Sequence, residues 1–112
     1  MLHWFMLDDD HRVVETSRDE AVRQVESDRH RVRLTGLKEV DISTVFICVS
    51  HSTDDALFET AVFKSDGDSR ILARYFTWDA AVKGHEDLVE EISKEIEEAI
   101  GDASRWLKLA LT

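Results

Sequence analysis

Residues 56–76 read ALFETAVFKSDGDSRILARYF, and this stretch decides the fold. Two runs rich in branched and aromatic residues flank SDGDS. Asp66-Gly67 within it signals a tight hairpin, because both central residues of a type I′ turn need positive φ. With those two as the loop, Phe58 faces Tyr75, Glu59 faces Arg74 and Val62 faces Ile71. An aromatic, an opposite-charge and a branched pair then line up, each contributing about 0.2–1 kcal/mol. A one-residue slip would lose all three matches.

Downstream of the hairpin, TWDAAVKGHEDLVEEI (77–92) opens a long helix. Thr77 is placed to cap it, Trp78 takes the first helical position, and Asp79 complements the helix dipole. Its apolar stripe runs Trp78, Val82, His85, Val89, Ile92, Ile96 and Ile100, with Ala81, Leu88 and Ala99 beside it. Gly84 costs about 1 kcal/mol against alanine inside a helix. Its neighbour His85 is in register with Val82 and Val89, so the pair reads as tight packing against a sheet around a hydrogen-bonded core histidine. Gly101-Asp102 is expected to end the helix. ASRWLKLALT (103–112) then forms a short final helix with Trp106, Leu107, Ala110 and Leu111 on one face, docked on the core or offered to a second copy.

Upstream, LHWFML (2–7) reads as a strand, DDDH (8–11) as a turn and RVVE (12–15) as a second strand. Thr16 or Ser17 caps a short helix over 18–27, with Ala21, Val22 and Val25 on its apolar face. Alternation in RHRVRLTGLK puts Arg29, Arg31 and Arg33 on one strand face and His30, Val32 and Leu34 on the other, with a bend at Gly36. ISTVFICVS (42–50) is apolar on both faces. It reads as a central strand covered on both sides, or on one side by a partner chain. The elements add up to one α+β domain, 1–112. An antiparallel sheet of four to five strands packs against one long C-terminal helix, with a short helix at its edge.

The chain has 112 residues, 43% hydrophobic and 34% charged, which bounds it to one folded domain with one core. No apolar run approaches the roughly 20 residues of a membrane span. The N-terminal stretch has no basic n-region and no small-residue cleavage site, so it reads as a strand and not as a signal peptide. Cys48 is the only cysteine and sits within an apolar run, as a buried inert thiol would. A cytoplasmic location is the default. The net charge of −10 disfavours binding to nucleic-acid phosphates. Residues 86–102 hold eight carboxylates against Lys94 alone, a balance of −7. That run is either a solvated helix face or a surface for a basic partner, with Glu90, Glu91, Glu97 and Glu98 as the partner-binding candidates.

Three further constellations bear on chemistry. His51, His85 and Asp54 or Asp55 would suit a metal if the loop after the central strand folded over the helix start, but no HxH or HExxH spacing is present. Arg29, Arg31 and Arg33 on one face could hold an anionic ligand or nucleotide. Glu59–Arg74 reads as a structural pair rather than an acid/base couple. There is no nucleophile elbow, phosphate loop, CxxC or dinucleotide fingerprint, so no cofactor is expected.

Four blocks carry a resemblance: WFMLDDD (4–10), ISTVFICVSH (42–51), LFETAVF (57–63) and RYFTWDAAVKGHEDLV (74–89). In this order they resemble a set of small uncharacterised proteins encoded in tailed bacteriophages, prophages and bacterial genomes. The loop before LFET departs from the family's Gly/Pro-rich form and reads STDDA, and the segment from Glu90 onward has no counterpart there. The resemblance implies a phage or mobile-element origin and an accessory role, without an established activity. The combined expectation is a non-catalytic protein that binds a host or phage protein through its acidic helix face, with a homodimer as a further partner. The alternatives are a small anionic-ligand or nucleotide binder and a metal-dependent enzyme using His51 and His85.

Overall fold

The computed structural model describes residues 1–111, with the side chain of Leu111 and all of Thr112 outside the described set. The chain runs β1 (His3–Leu7), β2 (Val13–Thr16), α1 (Arg18–Glu26), β3 (Arg31–Leu37), β4 (Val40–Phe46), β5 (Val49–Ser50), β6 (Phe58–Lys64), β7 (Ser69–Tyr75) and α2 (Trp78–Leu111). This is an α+β fold with antiparallel strands, a long helix and a short one. The strands divide between two sheets, in the orders β2-β1-β5 and β3-β4-β6-β7.

The division comes from the central apolar segment. Its first part, β4, pairs with β3 and β6, while Trp4 on β1 pairs with Val49 on β5. The chain changes sheets at Ile47-Cys48, where Ile47 N donates to Leu57 O and Cys48 O accepts from Phe5 N. A segment apolar at every position carries no periodic mark of such a switch, so one strand over 42–50 is corrected to two. Cys48 is half-buried there, packed against the core.

The 56–76 hairpin is present with a corrected loop. Phe58 opposes Tyr75 and Glu59 opposes Arg74, but Ala61 opposes Ile71 and Val62 opposes Arg70. The loop has three residues, Ser65-Asp66-Gly67, with Gly67 at φ +91° and Lys64 N bonded to Asp68 O. The register slip this introduces is taken up by a bulge at Leu72, which restores the pairing of Phe58 with Tyr75.

α1 is capped by Ser17, whose Oγ accepts from Glu20 N. Its inward face is Ala21 and Gln24, while Val22 and Val25 are exposed. Gln24 extends the edge of β1: its Oε1 accepts from Leu7 N and its Nε2 donates to Leu7 O, both at 2.9 Å. A buried amide here satisfies two backbone groups that the short β5 cannot reach.

Thr77 caps α2, its Oγ1 accepting from Ala80 N at 3.1 Å. Core residues Phe5, Leu7, Val32, Phe46, Leu57, Phe58 and Ala81 meet between the sheets and the first turns of α2. Phe46 and Phe58 pack at 5.3 Å, and Trp78 meets Phe58 edge-on at 6.4 Å while stacking on His11 at 3.8 Å. Gly101 does not end the helix, which runs 34 residues in all, from Trp78 to Leu111, about 51 Å at 1.5 Å per residue. Residues 101–110 are all exposed, so the tail is neither a separate helix nor docked on the core. The expected place of the Leu111 side chain on the tail's apolar face lies outside the described residues.

Candidate functional site

His85 is the centre of a polar seam that crosses the four-stranded sheet beneath α2. Its Nε2 lies 2.8 Å from Thr35 Oγ1 on β3, and its Nδ1 lies 2.7 Å from Thr44 Oγ1 on β4. Thr44 Oγ1 lies 2.5 Å from Thr60 Oγ1 on β6, and Thr60 Oγ1 donates to Tyr75 Oη on β7 at 3.4 Å. One hydroxyl per strand, in sheet order, therefore links all four strands to the helix. With Thr60 donating to Tyr75, Thr44 donates to Thr60 and accepts from Nδ1–H of the neutral imidazole, and Thr35 donates to Nε2, so every member of the seam is satisfied.

Burial, with Arg33's charge next in size, holds the His85 pKa below the usual histidine value, while Glu86 acts in the opposite direction. The ring is 2% exposed and both nitrogens are engaged. It has no lone pair left for a metal or a substrate unless a hydrogen bond breaks, so its geometry is that of a structural core histidine.

The metal constellation does not assemble. His51 is exposed in the loop after β5, and Asp54 and Asp55 border a separate cleft with Phe5, Val13, Leu57 and Phe76. Asp55 accepts from Ser50 Oγ. Among the described residues no three metal-ligating side chains converge.

The arginine trio is also separated. Arg29 lies before β3 and reaches Asp9 at 3.8 Å. Arg31 pairs with Val45 in register and contacts Asp28 and Ser43, whereas Arg33 pairs with Thr44. A bulge at Val32 turns the alternation over, placing Arg31 and Arg33 on opposite faces of the sheet. No single face presents three cations.

Glu59 and Arg74 meet at 3.4 Å, as the hairpin register implies. They lie on the sheet face turned away from α2, together with Leu34, Ser43, Val45, Ala61, Phe63 and Ile71. That face is open: Leu34 is 57% exposed, Phe63 48% and Ile71 50%. Of the two coverings anticipated for the central strand, α2 supplies one and the described residues supply no other. The patch was hard to see in the sequence, because it joins residues from four strands and depends on both bulges.

On α2, the carboxylates of Asp87, Glu90, Glu91, Glu95 and Glu98 form one exposed ridge. Lys83 bridges Asp87 and Lys94 bridges Glu90, both at 3.1 Å and one helical turn apart. Glu97 is exposed beside the ridge. Under the helix, Val40, Val62, Leu72, Leu88, Ile92 and Ile96 line a cleft of about 460 Å³, rimmed by Arg70 and Lys64 on one side and Glu91 and Glu95 on the other. No helix among the described residues is long and apolar enough to cross a membrane. No family model, curated protein or solved structure matches the chain.

Proposed function

We propose that this is a non-catalytic, cytoplasmic accessory protein that binds another protein on the open face of its four-stranded sheet. One observation carries the reading: Leu34, Val45, Ala61, Phe63 and Ile71 form an apolar patch with no covering layer among the described residues, framed by Arg31 and the Glu59–Arg74 pair. Contiguous exposed apolar surface with a polar frame is typical of a protein-binding surface. His85 and the Glu59–Arg74 pair are engaged in structural bonds. The resemblance to phage and prophage proteins supports an accessory role with a host or phage protein as partner.

A second reading places the partner on α2, where the aligned carboxylates of Asp87, Glu90, Glu91, Glu95 and Glu98 would meet a basic surface. The two are separated by retention from bacterial host lysate on three immobilised proteins: wild type, Phe63→Arg/Ile71→Arg, and Glu90→Lys/Glu91→Lys/Glu97→Lys/Glu98→Lys, each with a native circular-dichroism spectrum. A partner kept by wild type and the helix variant but lost by the sheet variant supports the open face. Loss only from the helix variant moves the site to the acidic ridge. A wild-type protein that retains nothing sinks both.

A further inference from the structure

The apolar stripe of α2 does not stop where the sheet stops. Ile96, Ala99, Ile100, Ala103, Leu107 and Ala110 continue it at helical spacing, with Trp106 at its margin. The sheet covers the helix as far as Ile96, whereas Ile100 is 47% exposed, Leu107 64% and Trp106 73%. From Ala99 to Ala110 the amphipathic helix thus presents a stripe that the sheet does not cover. We propose that a second copy of the chain covers it, residues 96–110 of the two α2 helices packing antiparallel about a twofold axis at Ala103.

Charge sets the orientation. Residues 86–102 carry −7, whereas Arg105 and Lys108 are the only charged residues in 103–110. A parallel pair would run the two acidic segments side by side. The antiparallel pair brings the basic segment of each copy alongside Glu97, Glu98 and Asp102 of the other, within the roughly 8–10 Å over which charges are felt at physiological salt. The Arg105–Asp102 contact within the chain is an exposed 3.4 Å bridge and competes weakly with this arrangement.

Shape sets the register. With Ala103 on the axis, Trp106 of one copy falls opposite Ile100 of the other, Leu107 opposite Ala99, and Ala110 opposite Ile96. Large thus meets small or branched, and the smallest side chain sits where the helices approach most closely. Ile96, Ala99 and Ile100 also form one wall of a cleft of about 420 Å³ whose other wall is Val40, Lys64 and the neighbouring turns. The antiparallel register directs the partner's indole into that cleft. This pairing uses a surface distinct from the open sheet face and stands or falls apart from it.

Sedimentation equilibrium on the full chain tests it, with wild type beside Trp106→Asp/Leu107→Asp. Wild type is expected at twice the 12.9 kDa chain mass at micromolar concentration. The variant is expected as a monomer, its dissociation constant raised roughly 100-fold or more. Its fold should survive, since both residues lie beyond the sheet. A short thiol crosslinker then reads the orientation in a Cys48→Ser background. Ala103→Cys should link to its own copy. Ala110→Cys should not, its two copies lying about 21 Å apart along the axis. A monomeric wild type, a dimer that survives the double substitution, or efficient linking through position 110 overturns the proposal.

Discussion

The ring of Tyr75 fills the space that a side chain at Gly84 would need: a Cβ on Gly84 would overlap Cε1, Cζ and Oη of that ring. The glycine's cost in helix propensity is thus the condition for bringing α2 down onto β7. Gly84→Ala should therefore destabilise the protein by about 1–3 kcal/mol, although alanine favours an isolated helix by about 1 kcal/mol. Urea unfolding of Gly84→Ala, Tyr75→Leu and the double variant checks this. The double variant should cost clearly less than the two singles added together. Strict additivity would mean that the two residues do not act on each other.

The seam from Thr35 to Tyr75 should behave as a unit. Thr44 contacts both His85 Nδ1 and Thr60, so Thr44→Val keeps the side-chain shape but strands two buried partners. A loss of about 1–3 kcal/mol is expected. Thr44→Val combined with Thr60→Val should cost less than the separate effects added, because the second substitution removes a group the first left unsatisfied. A Thr44→Val protein as stable as wild type would show that the seam contributes packing alone.

His85 also gives stability a pH dependence with a definite sign. Its folded pKa is depressed, chiefly by burial. The unfolded chain therefore takes up a proton near the ordinary histidine value of about 6.5, where the folded protein does not. The neutral ring's contribution is complete above that value. It declines as pH falls from about 6.5 towards the folded pKa, with a slope of at most about 1.4 kcal/mol per pH unit. Thermal melts between pH 7.5 and pH 5 should lose stability faster in wild type than in His85→Gln. Parallel curves would remove His85 as the source.

How much of this was legible depends on whether a residue's role is local. Thr77's cap, the Phe58–Tyr75 and Glu59–Arg74 pairs and the burial of His85 follow from spacing along one or two segments, and they are found where spacing puts them. The break at Ile47-Cys48 is not local, since a uniformly apolar run looks the same whether it serves one sheet or two. The bulge at Val32 puts Arg31 and Arg33 on opposite faces, and it is invisible in RHRVRLTGLK, whose alternation looks unbroken. Gly101 failed as a stop because alanine, leucine and long polar side chains around it favour helix and outweigh one glycine. The partners of His85 were out of reach for another reason: Thr35 and Thr44 lie fifty and forty-one residues away.

Gly67 offers a clean test of the hairpin loop's conformation. Gly67 has φ +91°, and no heavy atom lies within 4 Å of the point a Cβ would occupy, so any side chain there meets backbone strain without a clash. Its N–H donates to Lys64 O, and Asp66 Oδ1 accepts from Asp68 N at 2.9 Å, bonds that tie the loop to this one conformation. Gly67→Ala should cost about 1 kcal/mol and Gly67→Val more, while Gly67→Asn, which tolerates positive φ, should cost least. The urea midpoint should move in that order with an unchanged slope, because the surface exposed on unfolding stays the same. If all three substitutions were equally neutral, position 67 would not hold positive φ in solution. The three-residue loop, and with it the Leu72 bulge that restores the pairing of Phe58 with Tyr75, would then be wrong.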